Sequence, residues 1–66
     1  NYLVYYETQP LGIAFSIGDD VWCADIIRNN DWNYNVPETI RGMIIGFISK
    51  EYAAFYMYRM WLTYKQ

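Results

Sequence analysis

The hydrophobic pattern at the start of the chain is that of strands. Tyr2 to Glu7 reads Tyr-Leu-Val-Tyr-Tyr-Glu, a run of β-branched and aromatic side chains that suits a pleated surface. Thr8-Gln9-Pro10-Leu11-Gly12 then places Pro and Gly within five residues, the material of a hairpin loop. In the run that follows, Ile13, Phe15 and Ile17 share one face and Ala14 and Ser16 the other, as in a strand with one buried side. The pattern predicts a β-hairpin over about residues 2–17.

Beyond Gly18 the spacing reads as helical. Asp19 is placed to accept from the free amides of a first turn, and Asp20 complements the positive helix end. Val21, Ala24 and Ile27 or Arg28 recur at helical intervals, Trp22 and Ile26 widen the stripe, and Asn29-Asn30 supplies a stop. A helix over about 20–29 is expected. A second starts where Pro37 and Glu38 occupy a first turn, and Ile40, Met43, Ile44, Phe47 and Ile48 follow at i, i+3, i+4, i+7 and i+8, predicting a helix over about 37–48.

Ser49 suits the cap of a last helix, over about 50–65. On it Ala53, Ala54, Met57, Met60, Trp61 and Tyr64 make one apolar face, Phe55, Tyr58 and Leu62 a second, and Tyr52, Tyr56, Arg59 and Thr63 the remaining wedge. The aromatic run Phe55 to Tyr64 also suits a strand; Ala53-Ala54 and the methionines favour the helix. The expected fold class is therefore α+β: one small domain spanning 1–66, its N-terminal β-hairpin packed against two or three α-helices.

Composition narrows the chemistry. The 66 residues are 55% hydrophobic and 21% aromatic, too rich in apolar rings for a disordered chain. A domain this small hides only about 60% of its open-chain surface on folding. Histidine is absent and Cys23 is alone, which removes imidazole acid–base catalysis, His-ligated metals, cysteine–histidine nucleophiles and any intrachain disulfide. Cys23, between Trp22 and Ala24, reads as a small buried hydrophobe.

Oxygen-rich spacings fall short of metal loops. Asp31, Asn33, Asn35 and Glu38 begin like a calcium loop, but Val36 stands where the turn glycine belongs and Gly42 where the bidentate glutamate belongs. Asp19, Asp20 and Asp25 have no glycine-rich phosphate loop beside them, so capping and solvation account for them. Ser16 and Ser49 lack a base, Lys50 and Lys65 suit solvated positions, and paired carboxylates would need a deeper sugar cleft than so short a chain offers. Neither catalysis, a metal nor a cofactor is expected.

The densest apolar stretch, Ile40 to Tyr64, is broken by Arg41, Lys50, Glu51 and Arg59, and does not read as a membrane span. Gly42 and Gly46 have small-xxx-small spacing, which in water points to close packing. With no basic, apolar leader at its beginning, the expected compartment is the cytoplasm, or the host cytoplasm if a phage encodes the chain. Net charge is −2, but residues 1–35 carry five acids and one base while residues 36–66 carry two acids and four bases. Whole-chain attraction to nucleic acid is weak.

Three tryptophans, eight tyrosines and three phenylalanines compete for a small interior. Fully buried, they would claim about 2,100 to 3,500 Å² of the roughly 7,000 Å² that folding hides. Some rings are expected outside, where Tyr and Trp favour interfaces. The candidate partner contacts are Trp32 and Tyr34 in the 31–35 loop, Tyr2 or Tyr5 on whichever hairpin face the helices leave bare, and Tyr52, Tyr56 and Arg59 on the last helix. Asp19, Asp20, Asp25 and Asp31 would steer the molecule toward a basic surface, such as that of a nucleic-acid-handling protein.

Compact, acidic, tyrosine-rich and catalytically bare, the chain resembles, in composition and not by motif, small phage- or plasmid-encoded proteins that disable a host machine, anti-CRISPR proteins among them. The resemblance implies a non-enzymatic inhibitor or adaptor docked on a larger protein or protein–nucleic acid complex. The alternative is a self-associating structural or assembly subunit, because a homo-oligomer would cover excess apolar area. A direct nucleic-acid binder using Arg41, Lys50, Arg59 and Lys65 with stacking tyrosines is the third reading.

Overall fold

In the computed structural model, which describes residues 1–28 and 30–65, four segments pair in chain order into one antiparallel sheet. These are β1 (Tyr2–Tyr6), β2 (Gln9–Gly18), β3 (Val21–Ile26) and β4 (Met43–Phe47). A single α-helix, α1 (Lys50–Tyr64), crosses one face of the sheet. Two short 3-10 turns, Asp31–Asn35 and Glu38–Ile40, lie in the connection between β3 and β4. The expected α+β class with an N-terminal hairpin is present as one small domain, with one helix among the described residues in place of two or three.

The β1–β2 turn is tighter than the position of Pro10 and Gly12 suggests. It closes at Glu7 and Thr8, where Glu7 takes φ 56, and Pro10 and Gly12 lie inside β2. Pairing runs Val4 to Gly12 and Tyr5 to Pro10, which leaves Leu11 as the extra residue of a bulge. Strict alternation would put Leu11 beside Ile13; the bulge instead accompanies its burial in the core under α1.

Where a helix over 20–29 is expected, Val21–Ile26 form a strand, β3, and the expected stop residue Asn29 lies outside the described residues. Asp19 and Asp20 form the β2–β3 turn and cap no helix; Asp20 takes φ 54, a backbone state that a short polar side chain tolerates. Read with a period of two, Trp22, Ala24 and Ile26 fall on one side and Val21, Cys23 and Asp25 on the other. Pairing to β2 and β4 on both flanks satisfies the backbone that a ten-residue helix would otherwise satisfy internally.

The expected helix over 37–48 is also absent. A short turn at Glu38–Ile40 leads into β4, and Gly42 (φ 101) and Gly46 (φ 113) take left-handed conformations that no helix interior contains. Gly46 is the unpaired residue between Ile45, opposite Cys23, and Phe47, opposite Trp22. These glycines therefore serve backbone turns, and nothing packs within 4 Å of where their β-carbons would stand.

The last helix forms as the capping pattern predicts. Tyr52 N–H donates to Ser49 Oγ at 3.3 Å, and Glu51 adds an acid to the first turn. Its buried residues, Ala53 and Met57, lie on the small side chains of the sheet's inner face, Ala14 and Ala24. Small residues let the helix come close: a β-carbon at Gly12 would sit 2.5 Å from Met57 Sδ and nearer still to the Asp25 carbonyl oxygen. Leu11, Ile26, Trp32 and Val36 complete the core at one end.

Candidate interaction surface

The register fixes two unlike sheet faces. Tyr2, Ala14, Ala24 and Ile44 stand in one cross-strand row, and this is the face that α1 covers. Leu3, Ile13, Asp25 and Met43 make a row on the opposite side, with Phe15, Cys23 and Ile45 in the next row. By alternation Tyr5 on β1 and Val21 on β3 extend this second face, while Ile17 is the extra residue of the β2–β3 bulge. So β2 does have one buried side, but it belongs to Gly12 and Ala14, and the larger Ile13 and Phe15 face away from the helix.

No described element covers that second face. Leu3, Tyr5, Met43 and Ile45 are between 49 and 58% exposed, while Ile13, Phe15 and Asp25 are half-buried among their neighbours. Cys23 lies at the centre, fully buried yet outside the core under α1, a position consistent with cover from larger side chains on the same face. Asp25 is the face's one acid, and no Lys or Arg occupies the positions named here.

The candidate contacts separate into several places. Trp32 is a core residue, not a docking ring: it is 5% exposed, and its indole N–H donates to the Pro10 carbonyl at 3.3 Å. The same carbonyl accepts from Asn30 Nδ2 at 2.8 Å, and Asn33 Nδ2 donates to the Ile27 carbonyl, so the aromatic loop is stitched to β2 and β3. Tyr34, 70% exposed, points outward as expected beside a cleft lined by Arg28, Glu38 and Arg41. Asp31 is exposed at the start of the same turn, in an open cleft with Gln9, Trp61 and Lys65.

On α1, Tyr52 and Arg59 are exposed, and helical spacing aligns them with exposed Phe55 and Leu62 in an outer ridge. Tyr56 belongs elsewhere: it is half-buried against Phe47, ring centroids 5.3 Å apart, and burial, with Tyr64 nearby, raises its phenol above the ordinary value. Tyr2 tilts against Trp22 at 5.8 Å with the Lys50 ammonium over its ring, which leaves Tyr5 as the hairpin tyrosine on the bare side. Asp19 and Asp20 are exposed together at the β2–β3 turn, and Asp25 alone lies within the bare face. Alternation in β2 was the signal for that face; β3 and β4 had to be read as strands before the rest of it became visible.

Among the described residues no three His, Cys, Asp or Glu side chains gather where they could hold a metal, and no helix is long and apolar enough to cross a membrane. The arrangement, a four-stranded antiparallel sheet roofed on one side only, presents apolar area for contact. Compared with known proteins, the chain matches no family model, no curated protein and no solved structure.

Proposed function

We propose that this chain is a non-enzymatic protein-binding module, acting by occupancy, and that the sheet face opposite α1 is its binding surface. One observation carries the reading: the exposed Leu3, Tyr5, Met43 and Ile45 stand together on one side of the molecule with Asp25 as its acid. Monomeric soluble proteins rarely leave contiguous apolar area beyond about 300–600 Å² uncovered, and larger patches mark interaction sites. This face spans four strands about 4.8 Å apart and some five residues of about 3.3 Å rise, a footprint near 19 by 17 Å that side-chain relief roughly doubles to about 650 Å² of accessible surface. An inhibitor or adaptor role fits a molecule whose working part is such a surface, and Asp19 and Asp20 at its rim favour approach to positive charge.

Hydroxyl-radical footprinting in lysate of the cell that makes the protein tests whether anything covers the face. The expected result is a Met43 labelled far more slowly than in the denatured chain, while Tyr52 on the outer helix ridge is labelled freely. A Met43 labelled as readily as an exposed methionine rejects the face as a binding surface.

A further inference from the structure

We infer that the occupant of the bare sheet face is a second copy of this chain, giving a two-fold dimer in which the sheets pack face to face and both helices lie outside. The inference rests on the binding-surface reading above and names the partner. About 650 Å² from each copy would remove roughly 1,300 Å² in total, within the range of stable, specific interfaces and above the approximately 1,000 Å² below which contacts are weak or incidental. The fully buried centre would be aliphatic and aromatic, as in the interfaces of homodimers.

The face itself offers little charge to a foreign partner. Asp25 is the charged group among the face positions named, and no cation beside it matches an acidic partner. With the two-fold axis lying between the sheets and running perpendicular to the strands at the level of the central Phe15–Cys23 pair, each Asp25 lies two residues along its strand from the axis. Two residues on either side of the axis put the two Asp25 positions roughly 13 Å apart along the strands, so the carboxylates do not meet. Each then sits toward the rim, in reach of water. A face with so few polar groups has little with which to select a polar foreign surface, whereas symmetry makes it complementary to itself.

Sedimentation equilibrium on the purified chain, with three variants, decides the matter. Ile45→Asp and Leu3→Asp change exposed positions on the two edge strands of the face, and Phe55→Asp changes the outer ridge of α1. The wild-type chain and Phe55→Asp are expected at twice 7.9 kDa, and the two face variants at 7.9 kDa with an unchanged far-ultraviolet spectrum. Each face variant places a carboxylate in the interface twice, so the dissociation constant should rise about a hundredfold or more. Should one face variant fail to fold, the other still reports on the interface.

A wild-type chain of 7.9 kDa at about 100 μM overturns the inference, because such an interface should hold at that concentration. A dimer that survives both face variants but separates on Phe55→Asp overturns it too, by moving the contact to the helix. The two claims fail separately: a monomer whose Met43 is nonetheless shielded in lysate keeps the binding surface and replaces the copy with another protein.

Discussion

Two glycines that look alike in the sequence have opposite reasons to be glycine. Gly12 is needed for space, since Met57 Sδ and the Asp25 carbonyl stand where its β-carbon would be; Gly46 has open space but a φ of 113. Gly12→Ala must move backbone or the helix and is expected to lower stability by about 2 kcal/mol or more. Gly46→Ala should cost about 1–2 kcal/mol through backbone strain alone. Urea denaturation of both variants measures the difference, and a larger loss for Gly46→Ala would contradict this account. Tyrosine titration is a second check at this scale. Burial, then Tyr64, raises the Tyr56 phenol in the folded chain, and Tyr58, then the Glu7 carboxylate, raises that of Tyr6. A raised acid binds its proton more tightly when folded, so this stability is complete below the unfolded tyrosine value and is lost as pH rises through the folded one. Stability measured across the alkaline range should fall, and Tyr56→Phe should flatten part of the fall.

At the scale of the element, the signals that succeeded were local and the ones that misled were ambiguous. The cap of α1 is a side chain three residues from the amide it accepts from, and Ser49 and Tyr52 meet as that spacing predicts. Ser49→Ala is expected to lower thermal stability by about 1 kcal/mol, whereas Ser49→Asp retains a cap and should lose little. Far-ultraviolet melting of the pair distinguishes a working cap from a passive serine. In the segment 40–48, Ile40 and Phe47 pack against the core and Ile44 stands opposite Ala24 on the same face of the sheet, so the helical spacing did pick out residues of one face. Spacing by three also arises in a strand that carries one extra residue, and Gly46 is that residue. Trp22, Ala24 and Ile26 likewise satisfy a strand as well as they satisfy a helix, and an acid pair after a glycine serves a hairpin turn as readily as a cap. Pairing partners more than a loop away chose between the two.

For the whole molecule, the excess of apolar side chains was legible before its location was. The 4,491 Å² of surface is close to the about 4,400 Å² expected for a chain of this mass, so folding is of ordinary tightness and the apolar residues left over remain outside. Covering them by self-association couples stability to mass action. The melting temperature should therefore rise with protein concentration for the wild-type chain and stay constant for Ile45→Asp, as differential scanning calorimetry over a dilution series will report. From its sequence alone the chain determined its class, the first hairpin, the capped last helix, the lack of imidazole chemistry and the surplus of rings, because composition and short-range spacing act within a few residues. Tertiary structure alone decided that β3 and β4 are strands, that Trp32 is core, and that Ile13 and Phe15 lie on the bare side while Ala14 lies under the helix. A sheet's register and the side its single helix covers depend on contacts between distant segments, and three bulges shift the alternation within it.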